Sequence, residues 1–219
     1  MSVIKWSETG SRTFETGLSK GVLYKYNKTE KKYDTAAPWN GLTAVTSSPS
    51  GAEPTDLWAD DIKYATLRSA ETYGGTIEAY AYPEEFESCD GSASLADGVT
   101  IGQQGRDMFG LSYKTRKGSD TDPSADGAYI IHLVYGATAN PSERNYQSVN
   151  DSPEAVAFSW EFTTTPVEVS GFKPTSYVEI DSSKVDKTKL EALEAILYGS
   201  DSKEAYLPLP DEIKTIIST

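Results

Sequence analysis

Large apolar and small polar residues alternate almost without interruption along residues 152–167, SPEAVAFSWEFTTTPV. The large apolar positions are Val156, Phe158, Trp160 and Phe162. The positions between them are small or polar, namely Ala155, Ala157, Ser159, Glu161 and Thr163. Successive side chains of a β-strand point to opposite faces. This pattern therefore predicts a strand whose large apolar side chains face a core and whose small or polar side chains face the other way.

The same period of two recurs in shorter segments separated by turn residues. Alternating positions share a face in 21–27, 62–70, 75–83, 107–115 and 175–181. The segment AYIIHLVYG, residues 128–136, is apolar at nearly every position, which predicts a central strand covered on both faces. Gly74 and Gly75 predict a hairpin turn. Such a series of short strands predicts a mainly β protein, an antiparallel sandwich or barrel.

A helical period appears only near the C-terminal end. An apolar stripe at helical spacing is formed by Leu190, Leu193, Ile196 and Leu197. Asp186 or Ser183 is suited to cap the start of this helix, and Gly199 is suited to end it in a left-handed conformation. A shorter helical segment follows at 210–218. We expect one domain over residues 1–219, flanked by this C-terminal helix and its extension at 184–219.

Two segments are predicted to be long loops. Residues 34–58 show no convincing periodicity, although loops longer than about 12–15 residues are uncommon in compact domains unless they are functional or disordered. The segment contains Trp39, Leu42, Val45, Leu57 and Trp58, which is too apolar for a free linker. We interpret it as an arm that packs against another subunit. Residues 114–128 are polar and predict an exposed hairpin extension.

Acidic residues are in large excess, with 33 Asp and Glu against 20 Lys and Arg and a net charge of −13. This balance argues against binding nucleic acid by neutralising its phosphates. The N-terminal residues lack an apolar signal segment, and no apolar run is long enough to cross a membrane, so we expect a cytoplasmic origin. The single cysteine, Cys89, has no partner for an internal disulfide, which fits a reducing compartment.

The residues give little support for catalysis. His132 is the only histidine and Cys89 the only cysteine, so the usual zinc ligand sets and Cys–His pairs are unavailable. No G-x-S-x-G motif accompanies His132, and a structural histidine is the favoured interpretation. We therefore expect no enzyme activity.

Three further clusters contain residue types found in catalytic or binding sites. The adjacent carboxylates Glu84 and Glu85 favour a solvated turn over a glycosidase pair. The acidic run with Asp120, Asp122 and Asp126 lacks the closing glutamate of a calcium loop. The segment GQQGR at 102–106 is not a phosphate-binding glycine motif. The sequence thus predicts no catalytic, cofactor or metal site.

Taken together, several segments of the chain resemble the major tail protein of long-tailed, non-contractile bacteriophages. The matching segments are ETGLSKGVLYKY (15–26), SPSGAEPTDLWADDIKYATLRSAE (48–71), TIEAYAYPEEFESCDG (76–91), GQQGRDMFGLSYKTRKG (102–118), residues 131–167 and LEALEAILYGSDSKEAYLPLPDE (190–212). The resemblance covers nearly the whole chain, and it is the order and spacing of these segments that carry it.

This resemblance implies a structural subunit of a tail tube. Proteins of that family pack two β-sheets with a flanking helix, form rings that are usually hexameric, and stack into a hollow conduit for the genome. The implied partners are other copies of the chain and the tape-measure, tail-tip and tail-terminator proteins, while DNA passes through without specific binding. The implied location is the tail of the virion, after assembly in the host cytoplasm.

Within such a tube, the polar side of the 152–167 strand is expected to face the lumen. Small and acidic side chains suit a DNA conduit, because Lys or Arg would hold phosphates and bulky groups would obstruct passage. The candidate lumen-facing residues are Ala155, Ala157, Ser159, Glu161 and Thr163. The 34–58 arm and the C-terminal segment are expected to link subunits.

A carbohydrate-binding β-sandwich module is the alternative interpretation. It is suggested by the four Trp and fourteen Tyr residues and by acidic, glycine-containing loops. Aromatic residues in phase with a core, as in Phe158, Trp160 and Phe162, argue against an aromatic binding platform. A hydrolase with paired carboxylates has no supporting motif.

Overall fold

The computed structural model describes residues 4–51, 53–122, 127–148, 155–201 and 203–218. The strands are β1 (Thr13–Asn27), β2 (Lys32–Pro38), β3 (Leu42–Ser47), β4 (Ser50–Gly51), β5 (Pro54–Ala59), β6 (Ile62–Arg68), β7 (Glu71–Thr72), β8 (Gly74–Ala79), β9 (Ala93–Ala96), β10 (Val99–Ile101), β11 (Phe109–Ser119), β12 (Ala128–Ala139), β13 (Phe158–Thr164) and β14 (Tyr177–Asp181). The helices are α1 (Glu87–Asp90), which follows a 3₁₀ turn at Glu84–Phe86, α2 (Lys187–Leu197) and α3 (Pro210–Ser218).

One antiparallel sheet carries the fold, in the order β2-β1-β11-β12-β13-β8-β3, with β14 also paired to β12. The predicted central position of β12 is confirmed. On one edge β12 pairs with β11, and on the other it pairs first with β14 and then, from Ala137 to Ala139, with β13. Separate hairpins are formed by β5 with β6 and by β9 with β10, and a short ribbon by β4 with β7.

The sheet folds over itself around an aromatic core. Strands that are distant in the sheet order contribute side chains to one cluster, including Leu23 from β1, Ile77 from β8 and Trp160 from β13. Trp39 links strands that are distant in the sheet order, because its backbone N–H donates to the Gly21 carbonyl of β1 at 2.8 Å while its ring centre lies 5.9 Å from that of Trp160 in β13. The predicted mainly β sandwich is therefore confirmed.

A second core lies between the other face of the sheet and the C-terminal helices. Leu190, Leu193 and Leu197 of α2 pack there with Tyr24 and Tyr135 of the sheet. Both predicted ends of the helix are confirmed. The Asp186 carboxylate accepts a hydrogen bond from the Thr188 backbone N–H at 2.9 Å, and Gly199 adopts a left-handed φ of 78°.

Three local predictions from the sequence are wrong, and a fourth is right only in part. The strand predicted over 152–167 is β13, which begins only at Phe158, and residues 152–154 lie outside the described residues. Gly74 and Gly75 are not a turn, because both belong to β8 and a Cβ on Gly75 would collide with the Thr46 carbonyl oxygen and the Phe162 ring. The segment 114–128 does belong to a β-hairpin, as predicted, because Lys117 pairs with Ala128, but it is not exposed throughout, since Lys114 and Gly118 are buried and β11 extends to Ser119. The segment 34–58 is not a long loop either, because it contains the end of β2, then β3 and β4, and most of β5.

Candidate functional site

The exposed side of β13 matches the alternation seen in the sequence. Ser159, Glu161 and Thr163 are exposed, whereas Trp160 and Phe162 are buried in the aromatic core. Two of the other candidates for this side, Ala155 and Ala157, are exposed but precede the strand in irregular backbone. The strand therefore orients three of the five candidate lumen residues toward the same side.

Pairing with neighbouring strands extends this side into a continuous surface. Ser159 lies opposite Glu78, and Glu161 lies opposite Thr76. On the next strand, Ala44 pairs with Glu78 and Thr46 pairs with Thr76. Thr138 of β12 lies opposite Thr163. Residues directly opposite in an antiparallel pair share a face. We call this surface the polar face: Ala44, Thr46, Thr76, Glu78, Thr138, Ser159, Glu161 and Thr163.

The polar face consists mainly of short side chains and carries negative charge. Its members carry methyl or hydroxyl groups apart from two carboxylates, Glu78 and Glu161, and none of them is Lys or Arg. A shallow groove of about 310 Å³ lies at one end, lined by Gly74, Thr76, Asn140 and Thr163 among others. Such a surface does not retain a polyanion, since it offers no cation to displace the counterions of phosphate groups.

The polar face ends at a strand edge. β3 is last in the strand order and pairs with β8, so among the strands that the structure describes its outer edge has no ladder partner. Unpaired N–H and C=O groups at such an edge can pair with a strand of another chain. The edge is therefore a possible point of extension from one copy to the next.

The hairpin of β5 and β6 presents a second exposed surface. Leu57 lies opposite Ala65, and Thr55 opposite Leu67, on one face of the hairpin. The other face is mixed. There the Asp56 carboxylate accepts a hydrogen bond from Thr66 at 2.8 Å and pairs with Lys63 at 2.8 Å, and the exposed Trp58 lies on the same side, opposite Lys63. Apart from Ala65, every residue of the two strands is exposed. The hairpin thus exposes large apolar side chains on both faces, Leu57 and Leu67 on one and Trp58 on the other.

The five residues predicted to form an inter-subunit arm fall into two groups. Trp39 is in the core, where its indole N–H donates to the Ala81 carbonyl at 3.0 Å, and Leu42 and Val45 pack against the same cluster. For Trp39 the prediction is wrong, because its side chain is 3% exposed. Leu42 and Val45 are half-buried, and for them a contact with another subunit stays a prediction. Leu57 and Trp58 are exposed on the hairpin, with exposed fractions of 40% and 68%. They remain available to another subunit.

His132 is held inside the sandwich by two hydroxyl groups. Thr115 Oγ1 lies 2.8 Å from Nε2, and the Tyr177 hydroxyl lies 2.5 Å from Nδ1. Each hydroxyl also has a carboxylate within reach, because Thr115 donates to Glu15 at 3.3 Å and Tyr177 donates to Glu179 at 3.5 Å. The Tyr113 ring stacks on the imidazole at 4.6 Å. With both nitrogens bonded within the chain, His132 has a structural role.

Acidification is expected to destabilise the protein through His132. Burial lowers the pKa of His132, and the nearby carboxylates Glu15 and Glu179 only partly offset this effect. The unfolded chain therefore binds a proton more readily, so stability is full above the ordinary pKa of about 6.5 and declines as the pH falls below it. Denaturant unfolding of the wild type from pH 7.5 to 5.5 is expected to show this decline in the free energy of unfolding. The variant His132→Gln is expected to show a smaller decline over the same range. An equal dependence on pH in the two proteins would mean that His132 is not the group responsible.

The remaining sequence clusters do not converge on a reactive centre. Glu84 and Glu85 lie in the 3₁₀ turn, and Asp126 is outside the described residues. Burial raises the pKa of Cys89 to about 11, which keeps the thiol protonated and unreactive. Within the described ranges, no three or more His, Cys, Asp or Glu side chains form a group that could hold a metal ion. Likewise, no helix in that part of the chain is long and apolar enough to cross a membrane.

Comparison of the sequence with protein-family models and with curated proteins finds no match.

Proposed function

We propose that this protein is the structural subunit of a bacteriophage tail tube, which assembles into stacked rings around a conduit for DNA. The observation that carries the proposal is the polar face. It is a sheet surface of small side chains and two carboxylates, backed by a dense aromatic core. An ordinary solvated sheet has little reason to exclude long cationic side chains, whereas the wall of a DNA conduit does, because they would bind phosphates.

Two further features support self-assembly. The outer edge of β3 can extend the sheet into a neighbouring copy, so that a ring of copies has no free edge. The exposed apolar side of the β5–β6 hairpin provides a second contact. The proposed partners are therefore other copies of the chain, together with the tape-measure, tail-tip and tail-terminator proteins. The proposed location is the tail of the virion.

Negative-stain electron microscopy of the purified protein, at low and high concentration, tests this function. Rings or hollow tubes are the expected result, either from the protein alone or after tape-measure and tail-tip proteins are added. Failure to assemble under all of these conditions would refute the proposal. A melting temperature that rises with added sugars, in a protein that stays monomeric, would instead favour a carbohydrate-binding module.

Reversing charge on the polar face is expected to block DNA passage without blocking assembly. Glu161 is exposed on β13, so Glu161→Lys should leave folding intact and place a ring of cations where DNA passes. We expect tubes of this variant to retain duplex DNA at low salt at least about tenfold more than wild-type tubes, and to release it at high salt.

The matched control is Glu191→Lys, which makes the same change in charge on the exposed side of α2. Tubes of that variant should retain no more DNA than wild-type tubes. If both variants retain DNA equally, the polar face does not line the lumen.

A further inference from the structure

Residues 140–148, which we call the strap, leave the end of β12 and follow the start of β13 in irregular backbone. Among the described strands, β12 pairs with β13 only from Phe162 to Thr164, so the first half of β13 has no ladder partner on this side. The strap takes that place. The Asn140 backbone N–H donates to the Glu161 carbonyl at 2.8 Å, and Ser142 Oγ accepts from the Glu161 N–H at 3.2 Å. The strap thus closes a strand edge beside the polar face.

Arg144 fastens the far end of the strap. Its guanidinium pairs with the Asp90 carboxylate of α1 and lies over two aromatic rings, 5.8 Å from the centre of the Tyr82 ring and 5.7 Å from that of Phe158. The Asp90 side chain is only 3% exposed. Such a pair is costly to break, because the carboxylate would stay buried without a counter-charge. One ion pair and two cation–π contacts therefore hold the strap closed.

A second arginine lies beside the same carboxylate. Arg106 Cζ is 2.9 Å from the position that a Cβ on Gly91 would take, and Gly91 directly follows Asp90. Asp90 Oδ1 and Arg106 Nε are both buried, and neither has a hydrogen-bond partner among the described residues. Buried polar atoms without partners are rare in folded proteins. Here an acceptor and a donor of opposite charge lie close together, and each lacks a partner.

This arrangement gives Asp90 an alternative counter-charge. If Arg144 withdraws, rotation of the Arg106 side chain can bring its guanidinium onto the vacated carboxylate. The charge of Asp90 then does not stay unpaired, so opening the strap costs much less than breaking an isolated buried pair. The strap is therefore fastened by a contact that can be exchanged rather than lost.

We propose that the strap is releasable, and that Asp90 exchanges Arg144 for Arg106 when the strap opens. Opening uncovers the two aromatic rings and leaves the first half of β13 able to pair with another strand. The inference goes beyond the proposed function and does not depend on it, since the exchange takes place within one chain.

Limited digestion of the monomeric protein with trypsin measures the opening. Trypsin cleaves after Arg144 only when that side chain can leave Asp90 and enter the protease. When the strap opens and closes rapidly, the cleavage rate follows the population of the open form. Arg106→Met removes the alternative partner, so cleavage after Arg144 should slow about tenfold. Asp90→Asn removes the contact that fastens the strap, so cleavage should accelerate about tenfold.

A combined variant shows whether the two arginines share Asp90. With Asp90→Asn in place, Arg106→Met should change the cleavage rate by no more than about twofold, because no carboxylate is left for Arg106 to pair with. Cleavage after Lys31, in the exposed turn between β1 and β2, should be equal in all variants. Arg68→Met, at an exposed arginine of β6, should leave cleavage after Arg144 at the wild-type rate.

Hydrogen exchange of the Glu161 amide gives a second readout, because its acceptor Ser142 belongs to the strap. It should slow in Arg106→Met and accelerate in Asp90→Asn. The amide of Thr165, which donates to the Gly136 carbonyl at 2.9 Å, lies outside the strap and should keep its rate.

The sign of the Arg106→Met effect decides the outcome. Faster cleavage after Arg144 in this variant would overturn the exchange, since Arg106 would then only support the closed strap. Slower cleavage that persists in the combined variant would overturn it as well, because Arg106 would act through a group other than Asp90.

Discussion

Replacing Trp160 with alanine is expected to lower the free energy of unfolding by about 3–5 kcal/mol, the usual cost of removing a large aromatic side chain from a core. Trp160 is 3% exposed. Its ring lies 5.1 Å from that of Phe86 and 5.9 Å from that of Trp39, measured between ring centres. The substitution therefore removes buried apolar area and leaves a cavity among rigid rings that cannot close it. Denaturant unfolding followed by circular dichroism, at a concentration where the protein is monomeric, measures the loss.

Ser159→Ala is the matched control for this prediction. Ser159 is the preceding residue of the same strand, but it is exposed on the polar face. Its replacement should change stability by no more than about 0.5 kcal/mol, as expected for a surface position. A similar loss of free energy of unfolding in the two variants would mean that β13 does not separate a core side from a solvent side. The polar face would then not exist as described.

The orientation of β13 could be predicted from the sequence because strand periodicity is a local property. Phe158, Trp160 and Phe162 are spaced by two, and any strand through them must put Ser159 and Glu161 on the other side. The helix α2 can also be predicted from the sequence, since its cap at Asp186 and its end at Gly199 are set by neighbouring residues. Both features depend only on residues close together in the chain.

The strands of the segment 34–58 cannot be predicted from the sequence, because they are short and irregular. β3 is six residues long, and its pairing with β8 shifts register between Leu42 and Ala44, which breaks the period of two. The sequence predicts that Trp39 belongs to an exposed arm, whereas the residue is buried. Its burial depends on contacts with Gly21 and Ala81, which are distant in the chain, so no local pattern indicates it.

The polar face could be predicted only in part, because a surface requires strand pairing as well as strand orientation. The segment TIEAYA does show that Thr76 and Glu78 share a side. Nothing local shows that this strand lies beside β13 with Glu78 opposite Ser159. The second carboxylate of the face, and with it the extent of the acidic surface, becomes visible only when the register is known.

Lys114→Met is expected to destabilise the protein by about 2 kcal/mol, because it breaks the ion pair that joins α2 to the sheet. Lys114 Nζ lies 2.6 Å from Glu194 Oε1 and 4.0 Å from the centre of the Tyr129 ring. Burial lowers the pKa of Lys114. Burial also acts to raise the pKa of Glu194, but hydrogen bonds from Lys114 and Tyr129 keep it below its ordinary value, so the carboxylate is charged and needs its partner.

The expected loss is smaller than the roughly 3–5 kcal/mol found when one member of a fully buried pair is removed. The reason is that the Glu194 side chain keeps 22% of its exposure and can recover some hydration. Adding Glu194→Gln removes the uncompensated charge, so the double variant should lose less stability than the sum of the two single variants. Denaturant unfolding of the three variants gives this difference directly.

A second ion pair on the same helix provides the control. Lys187 and Glu191 are 3.8 Å apart with side chains that are 89% and 67% exposed, so Lys187→Met should cost no more than about 0.5 kcal/mol. If Lys187→Met and Lys114→Met have equal effects, burial does not strengthen the Lys114–Glu194 pair. Apolar packing of Leu193 and Leu197 and the hydrogen bond from the Tyr24 hydroxyl to the Leu197 carbonyl would then hold α2 to the sheet. If only Lys114→Met is costly, the helix is held in place by a charge contact as well as by its apolar stripe.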